Sequence, residues 1–138
     1  MAVMETQIIR LQSKTENLTQ VESLIDEVCE EWHVGEDNYG NILIAVTEAV
    51  NNAIQHGNEL DPEKSFELEV ESTETQVTFK VRDEGPGFDH ENLPDPTDPA
   101  NIENPHGRGI FLMKHLADSV EFSEEGRLVE LQFKFTGS

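Results

Sequence analysis

The chain of 138 residues has one cysteine, few basic side chains and no long apolar run. Each scarcity removes a class of protein. Cys29 alone builds no internal disulfide framework and no Cys-rich zinc site. No stretch approaches the ~20 apolar residues of a membrane span. Met1 to Arg10 lacks the pattern of a signal peptide. The expectation is a cytoplasmic location with no membrane partner. Nine Lys and Arg stand against 29 Asp and Glu, a formal net charge of −20 at pH 7. Nucleic acid and anionic lipid are recruited through basic patches, so neither is expected to bind. A phosphate-bearing ligand would need backbone N–H groups, a divalent cation, or one of the few basic residues set beside it.

What is present fits one domain over residues 1–138, since domains most often run to roughly 100–150 residues. A short apolar run at Gln7 to Leu11 reads as a first strand. From Leu18, apolar residues fall at Val21, Leu24, Ile25, Val28, Cys29 and Trp32, which is helical spacing, with Thr19 and Glu22 as a capping box. Cys29 on this face reads as a buried small hydrophobe. A second helix is predicted from about Asp37 to His56, closed by Gly57 as a cap. Phe66, Leu68 and Val70 alternate, as do Val77, Phe79 and Val81, giving two strands around a turn at Glu71 to Thr75. A third helix is predicted from near Arg108 to about Ala117. Val120 to Phe122 then pairs with a last strand through Val129, Leu131, Phe133 and Phe135. The expected fold is α+β: a two-layer α/β sandwich with a mostly antiparallel sheet and helices on one face.

Four features break the pattern. The second helix is apolar over most of its circumference, yet it carries Glu48, Asn52 and His56 at four-residue intervals on one stripe. A carboxylate and an amide against so much apolar surface demand partners. With Asn51 adjacent, the stripe resembles a pocket wall: Asn52 can give an oxygen to Mg2+, and Glu48 can take a proton from a hydroxyl or water. His56, at the helix end, reads as structural. Next, counting by twos from Val77 puts Asp83 on the inward face, directly before Glu84-Gly85-Pro86-Gly87. The amino group of an adenine is a fitting donor for that carboxylate. Third, Gly107-Arg108-Gly109 opens the third helix, where free N–H groups and the helix dipole favour an anion. Fourth, residues 88–106 show no periodicity and contain four prolines. So long a stretch inside a small domain suits a lid that closes over a ligand.

Glu48-x3-Asn52, Asp83-x-Gly85-x-Gly87, a long lid and Gly107-x-Gly109 occur in that order. This resembles the asparagine box and the two glycine boxes of the Bergerat (GHKL) ATPases, among them histidine kinases, type II topoisomerases and MutL. The segments AVTEAVNNAIQHGN, VRDEGPGFD, DPTDP and GRGIFLMKHLAD are most similar to the anti-sigma-factor serine/threonine kinases. The resemblance implies that Asn52 binds Mg2+ and that Asp83 receives the adenine amino group. Gly85 and Gly87 would shape the adenine end, Gly107, Arg108 and Gly109 would hold the phosphates, and Glu48 would be the general base. It further implies ATP and Mg2+ as cofactors, a homodimer, a sigma factor as one partner and a STAS-domain anti-anti-sigma protein as the phosphorylated other. A separate histidine kinase would carry its acceptor His on a helical hairpin, for which this chain has no room. A non-catalytic module, in which ATP only gates the binding of a partner, stays open.

Overall fold

The computed structural model describes residues 5–58, 61, 63–85 and 105–135, apart from the side chains of residues 56, 57, 105–108 and 125. Strand β1 (Glu5–Gln12) leads through a 3-10 turn (Thr15–Asn17) into α1 (Leu18–Glu31) and α2 (Glu36–Asn52). A π turn (Ala53–Gly57) follows, then β2 (Ser65–Ser72) and β3 (Gln76–Arg82). Beyond them lie α3 (Pro105–Leu116), β4 (Ser119–Ser123), a second 3-10 turn (Glu124–Gly126) and β5 (Leu128–Lys134). The five strands form one sheet in the order β1-β2-β3-β5-β4, and every neighbouring pair is antiparallel.

The alternation in the strands divides the sheet into two unlike faces. Phe66, Leu68 and Val70 of β2 point inward with Val77, Phe79 and Val81 of β3 and with Val129, Leu131 and Phe133 of β5. Phe79 and Phe133 meet edge to face, with ring centroids 6.0 Å apart. These residues share one core with Val21, Ile25 and Val28 of α1, with Ile42, Val46 and Val50 of α2, and with Ile110 and Met113 of α3. Burying each such side chain contributes about 1.5–3 kcal/mol before chain entropy is counted. The opposite face is charged, and its few bases are shared among acids. Lys80 lies within 3.0 Å of Glu71 and 3.4 Å of Glu69, while Arg82 bridges Glu124 at 2.7 Å. The two-layer α+β sandwich expected from the sequence is the fold observed.

Three local expectations are corrected. Thr19 and Glu22 form no capping box, because the 3-10 turn runs straight into α1. Its leading residue Asn17 is already helical (φ −75°), whereas a capping residue needs an extended backbone, and Thr19 Oγ1 instead donates to the Glu16 carbonyl. The second helix does not stay regular as far as His56. It winds into a π turn after Asn52, with Asn58 rather than Gly57 as the capping residue. Finally, α3 begins at Pro105, three residues before the expected start at Arg108. Proline suits a first helical position, where no N–H is required, and two glycines were not enough to hold the helix off. Gly107 and Gly109 therefore lie inside α3 rather than ahead of it.

One device was not foreseen. At the end of α1, His33 takes a left-handed backbone (φ 54°), the Val34 N–H reaches the Cys29 carbonyl at 2.9 Å, and the His33 N–H reaches the Glu30 carbonyl at 3.3 Å. This is a Schellman closure with histidine in the place that glycine usually fills.

Candidate functional site

The regular winding of α2 sets Glu48 and Asn52 one turn apart and half-buried, on the side that faces α3. Helix α3 comes so near at this level that Gly109 touches both. A methyl group added to Gly109 would stand 2.9 Å from Glu48 Oε2, 3.2 Å from Asn52 Nδ2 and 3.4 Å from Asn52 Oδ1. The Nδ2 of Asn52 is buried and has no hydrogen-bond partner among the described residues. A buried N–H without a partner costs about 1–3 kcal/mol, so Asn52 Nδ2 is a group that a bound acceptor would satisfy. Asn51 is engaged elsewhere, accepting a hydrogen bond from Gln55 at 2.8 Å. His56 falls in the π turn, so the four-residue stripe ends at Asn52.

The second part is the turn that follows β3. Its backbone is held at each residue. The Asp83 N–H donates to the Arg127 carbonyl (2.9 Å), the Glu84 N–H to Asn58 Oδ1 (2.8 Å) and the Gly85 N–H to Asp83 Oδ1 (2.8 Å). The Gly85 carbonyl accepts from Arg127 Nε at 2.6 Å. The Glu84 carboxylate accepts from Arg10 (3.0 Å) and from the Ser65 N–H (2.7 Å). Burial pushes the Asp83 carboxyl above the usual carboxylate range, while the Gly85 N–H and the charges of Arg127 and Lys64 pull it back.

Asn58 joins the two parts. It is fully buried, just past the π turn, and its Nδ2 donates to Ser13 Oγ (2.6 Å) and to the Ser65 carbonyl (2.9 Å). One amide thus ties the end of the α2 segment to the residue after β1, to β2 and to the Asp83 turn. Sequence reasoning passed over both Asn58 and Arg127. The available signals were a polar residue directly after His56-Gly57 and an arginine directly after Gly126, in a chain with nine basic residues.

The structure therefore brings Glu48, Asn52 and Gly109 into contact and fixes Asp83 and Gly85 in a separately braced turn. Gly107 and Arg108 lie in the first turn of α3. Gly87 and the expected lid as far as residue 104 lie outside the described residues, and the last two lid positions, 105 and 106, belong to α3. Among the described residues no group of three or more His, Cys, Asp or Glu could hold a metal ion. A Mg2+ ion at Asn52 would therefore draw most of its ligands from phosphate and water, as that ion commonly does. The orphaned amide of Asn52 and the adjoining carboxylate of Glu48 fit a metal–phosphate group of this kind. No helix among the described residues is long and apolar enough to cross a membrane.

Comparison with known proteins places the chain in a family. The family model of the histidine kinase-like ATPase domain matches residues 11–133. Over 99 residues the chain is 34% identical to an anti-sigma F factor of Clostridium perfringens strain SM101, covering 68% of this chain and 69% of that protein. It is 25% identical over 101 residues to the serine-protein kinase RsbW of Oceanobacillus iheyensis, covering 69% of this chain and 64% of that one. The crystal structure of the RsbU and RsbW domains of a Mycobacterium tuberculosis protein superposes with a TM-score of 0.62 at 14% identity. That alignment covers 96% of this chain and 32% of the solved one, and at such identity it speaks for the fold. A match over nearly the whole chain, with relatives of this kind, means that the chain belongs to the histidine kinase-like ATPase family and, within it, to the anti-sigma-factor kinases.

Proposed function

We propose that the chain is an anti-sigma factor that transfers the γ-phosphoryl group of Mg-ATP to a serine or threonine of a STAS-domain anti-anti-sigma partner. The observation that carries this reading is the contact of Gly109 with Glu48 and with the unpartnered amide of Asn52. A carboxylate and an amide side by side, at the helix that carries the Gly107-Arg108-Gly109 segment, support a base and a metal–phosphate ligand at Glu48 and Asn52. Bound Mg2+ would neutralise phosphate charge inside a protein whose net charge is −20. Asn52 would give its amide oxygen to that ion and its Nδ2 to a phosphate oxygen. Asp83 would receive the adenine amino group, with Gly85 and Gly87 shaping the base end and Arg108 beside the phosphates. Glu48 would take the proton of the acceptor hydroxyl as its oxygen attacks the γ-phosphorus and the bond to the bridging oxygen breaks, leaving ADP. The sigma factor would be held while the partner is phosphorylated, and the working unit would be a homodimer.

The test is radiolabel transfer from γ-labelled ATP with Mg2+ to candidate STAS proteins of the same organism. The expected result is label on a STAS serine or threonine with the intact protein, and none with Glu48→Gln, which still binds Mg-ATP. Full transfer by Glu48→Gln would remove Glu48 from its role. ATP binding without transfer to any candidate would instead identify an ATP-gated binding module.

A further inference from the structure

We infer that Arg127 is a positioning residue for nucleotide recognition, gripping the Asp83 turn from just before β5 and holding the Asp83 carboxylate ready as an acceptor for the base. The inference rests on the proposed nucleotide reading and adds to it a residue outside the Asn and Gly motifs.

Arg127 grips the turn at both ends. Its backbone carbonyl receives the Asp83 N–H at 2.9 Å, and its Nε donates to the Gly85 carbonyl at 2.6 Å. Its own position is fixed from the other side, where Nη1 donates to the Glu124 carbonyl at 3.1 Å across the turn between β4 and β5. A guanidinium suits this task because its planar fork presents several donors in fixed directions, so one side chain can bridge two carbonyls. Within the turn, Asp83 Oδ1 is spent on the Gly85 N–H. The other carboxylate oxygen makes no hydrogen bond among the described residues, and it is the oxygen an exocyclic amino group would meet.

The second contribution is electrostatic. Among the described residues, the cations whose charge acts on Asp83 are Arg127, just before β5, and Lys64, just before β2. The neighbouring acids are occupied: Glu84 by Arg10 and the Ser65 N–H, Glu124 by Arg82. Burial favours the protonated carboxyl, and a protonated Asp83 is a donor where the adenine amino group needs an acceptor. The sign follows directly. Binding through an ionised Asp83 is complete above its folded pKa and is lost as pH falls through it. Removing the Arg127 charge raises that pKa, so the loss begins at higher pH.

The experiment is calorimetric titration of the full chain with Mg-ATP and Mg-GTP between pH 5.5 and 8, for the wild type, Arg127→Met and Arg127→Lys. Circular dichroism confirms folding of each variant. Arg127→Met is expected to weaken ATP about tenfold at pH 7.5 and to move the acid limb of binding upward, as a carboxylate does when it loses a nearby cation. Its preference for ATP over GTP should shrink as well. Arg127→Lys keeps the charge but not the fork, so the acid limb should return while the affinity stays below wild type. Wild-type affinity and an unmoved acid limb in folded Arg127→Met would overturn the inference. Should the Met variant not fold, Arg127→Lys with wild-type affinity would overturn the positioning role. A wild-type protein that binds no nucleotide at any pH would instead bring down the underlying reading.

Discussion

Replacing Gly109 by alanine separates the site from the fold, and the two effects can be worked out in advance. Gly109 is buried in α3 with a helical backbone, where alanine is favoured over glycine by about 1 kcal/mol. Against that gain, the new methyl would lie 2.9 Å from Glu48 Oε2, closer than such contacts are tolerated. Oε2 is the far end of a flexible side chain, so Glu48 can swing aside at about 0.5–1.5 kcal/mol if it leaves its preferred rotamer. Asn52, at 3.2 and 3.4 Å, must yield by a few tenths of an ångström. The two sides nearly cancel, so unfolding stability should stay within about 1 kcal/mol of wild type, a shift of a few degrees in Tm. Function does not cancel in this way. Mg2+ demands near-ideal octahedral placement of its ligands, and reacting groups lose about a hundredfold for a misplacement near 1 Å. Mg-ATP affinity should fall about tenfold and phosphoryl transfer about a hundredfold. Thermal unfolding, ATP titration and the radiolabel assay on one preparation would read all three. A Gly109→Ala protein that transfers phosphate at the wild-type rate would refute the placement of Glu48 and Asn52. One that unfolds far below wild type would refute the claim that the contact serves the site more than the core.

Two other substitutions probe the frame. Asn58→Ala strands the Ser65 carbonyl and the Glu84 N–H, and it should lower stability by about 2–4 kcal/mol in urea unfolding; a loss under about 0.5 kcal/mol would show the amide to be incidental. His33→Gly relieves a left-handed backbone that costs an ordinary residue about 1–2 kcal/mol, so Tm should rise by a few degrees with nucleotide affinity unaltered. A lower Tm would mean that the histidine side chain contributes more than its backbone costs.

The sequence was most legible where periodicity is dense. Alternation in Phe66-Leu68-Val70 and Val77-Phe79-Val81 placed two strands within a residue or two, and the helical spacing from Val21 to Cys29 placed α1. Boundaries set by capping chemistry were less legible. Thr19 and Glu22 satisfy the pattern of a capping box, yet the preceding 3-10 turn had already supplied the helical geometry that such a box would start. At α3, the expectation that two glycines delay a helix lost to the pre-set φ of Pro105. In the candidate site, Glu48 and Asn52 stood out because they are polar intrusions into an apolar pattern, and Asp83 because of its inward register. Nothing comparable marks Asn58 or Arg127. Their meaning comes from contacts 26 and 42 residues away in the chain, and local spacing carries no information at that range.

The bracing of the Asp83 turn bears on how the protein would unfold. Residues 83–85 are pinned by partners from β1, from the end of the α2 segment, from the edge of β2 and from the residue just before β5. No fragment of the chain supplies all four, so a ligand selective for the assembled turn would bind the native state and ignore partly folded ones. By mass action its binding energy would then add to the global unfolding free energy, about 2.7 kcal/mol at a hundred times Kd. Slow-exchanging amides in strands as distant as β1 and β5 would gain protection together when it is added.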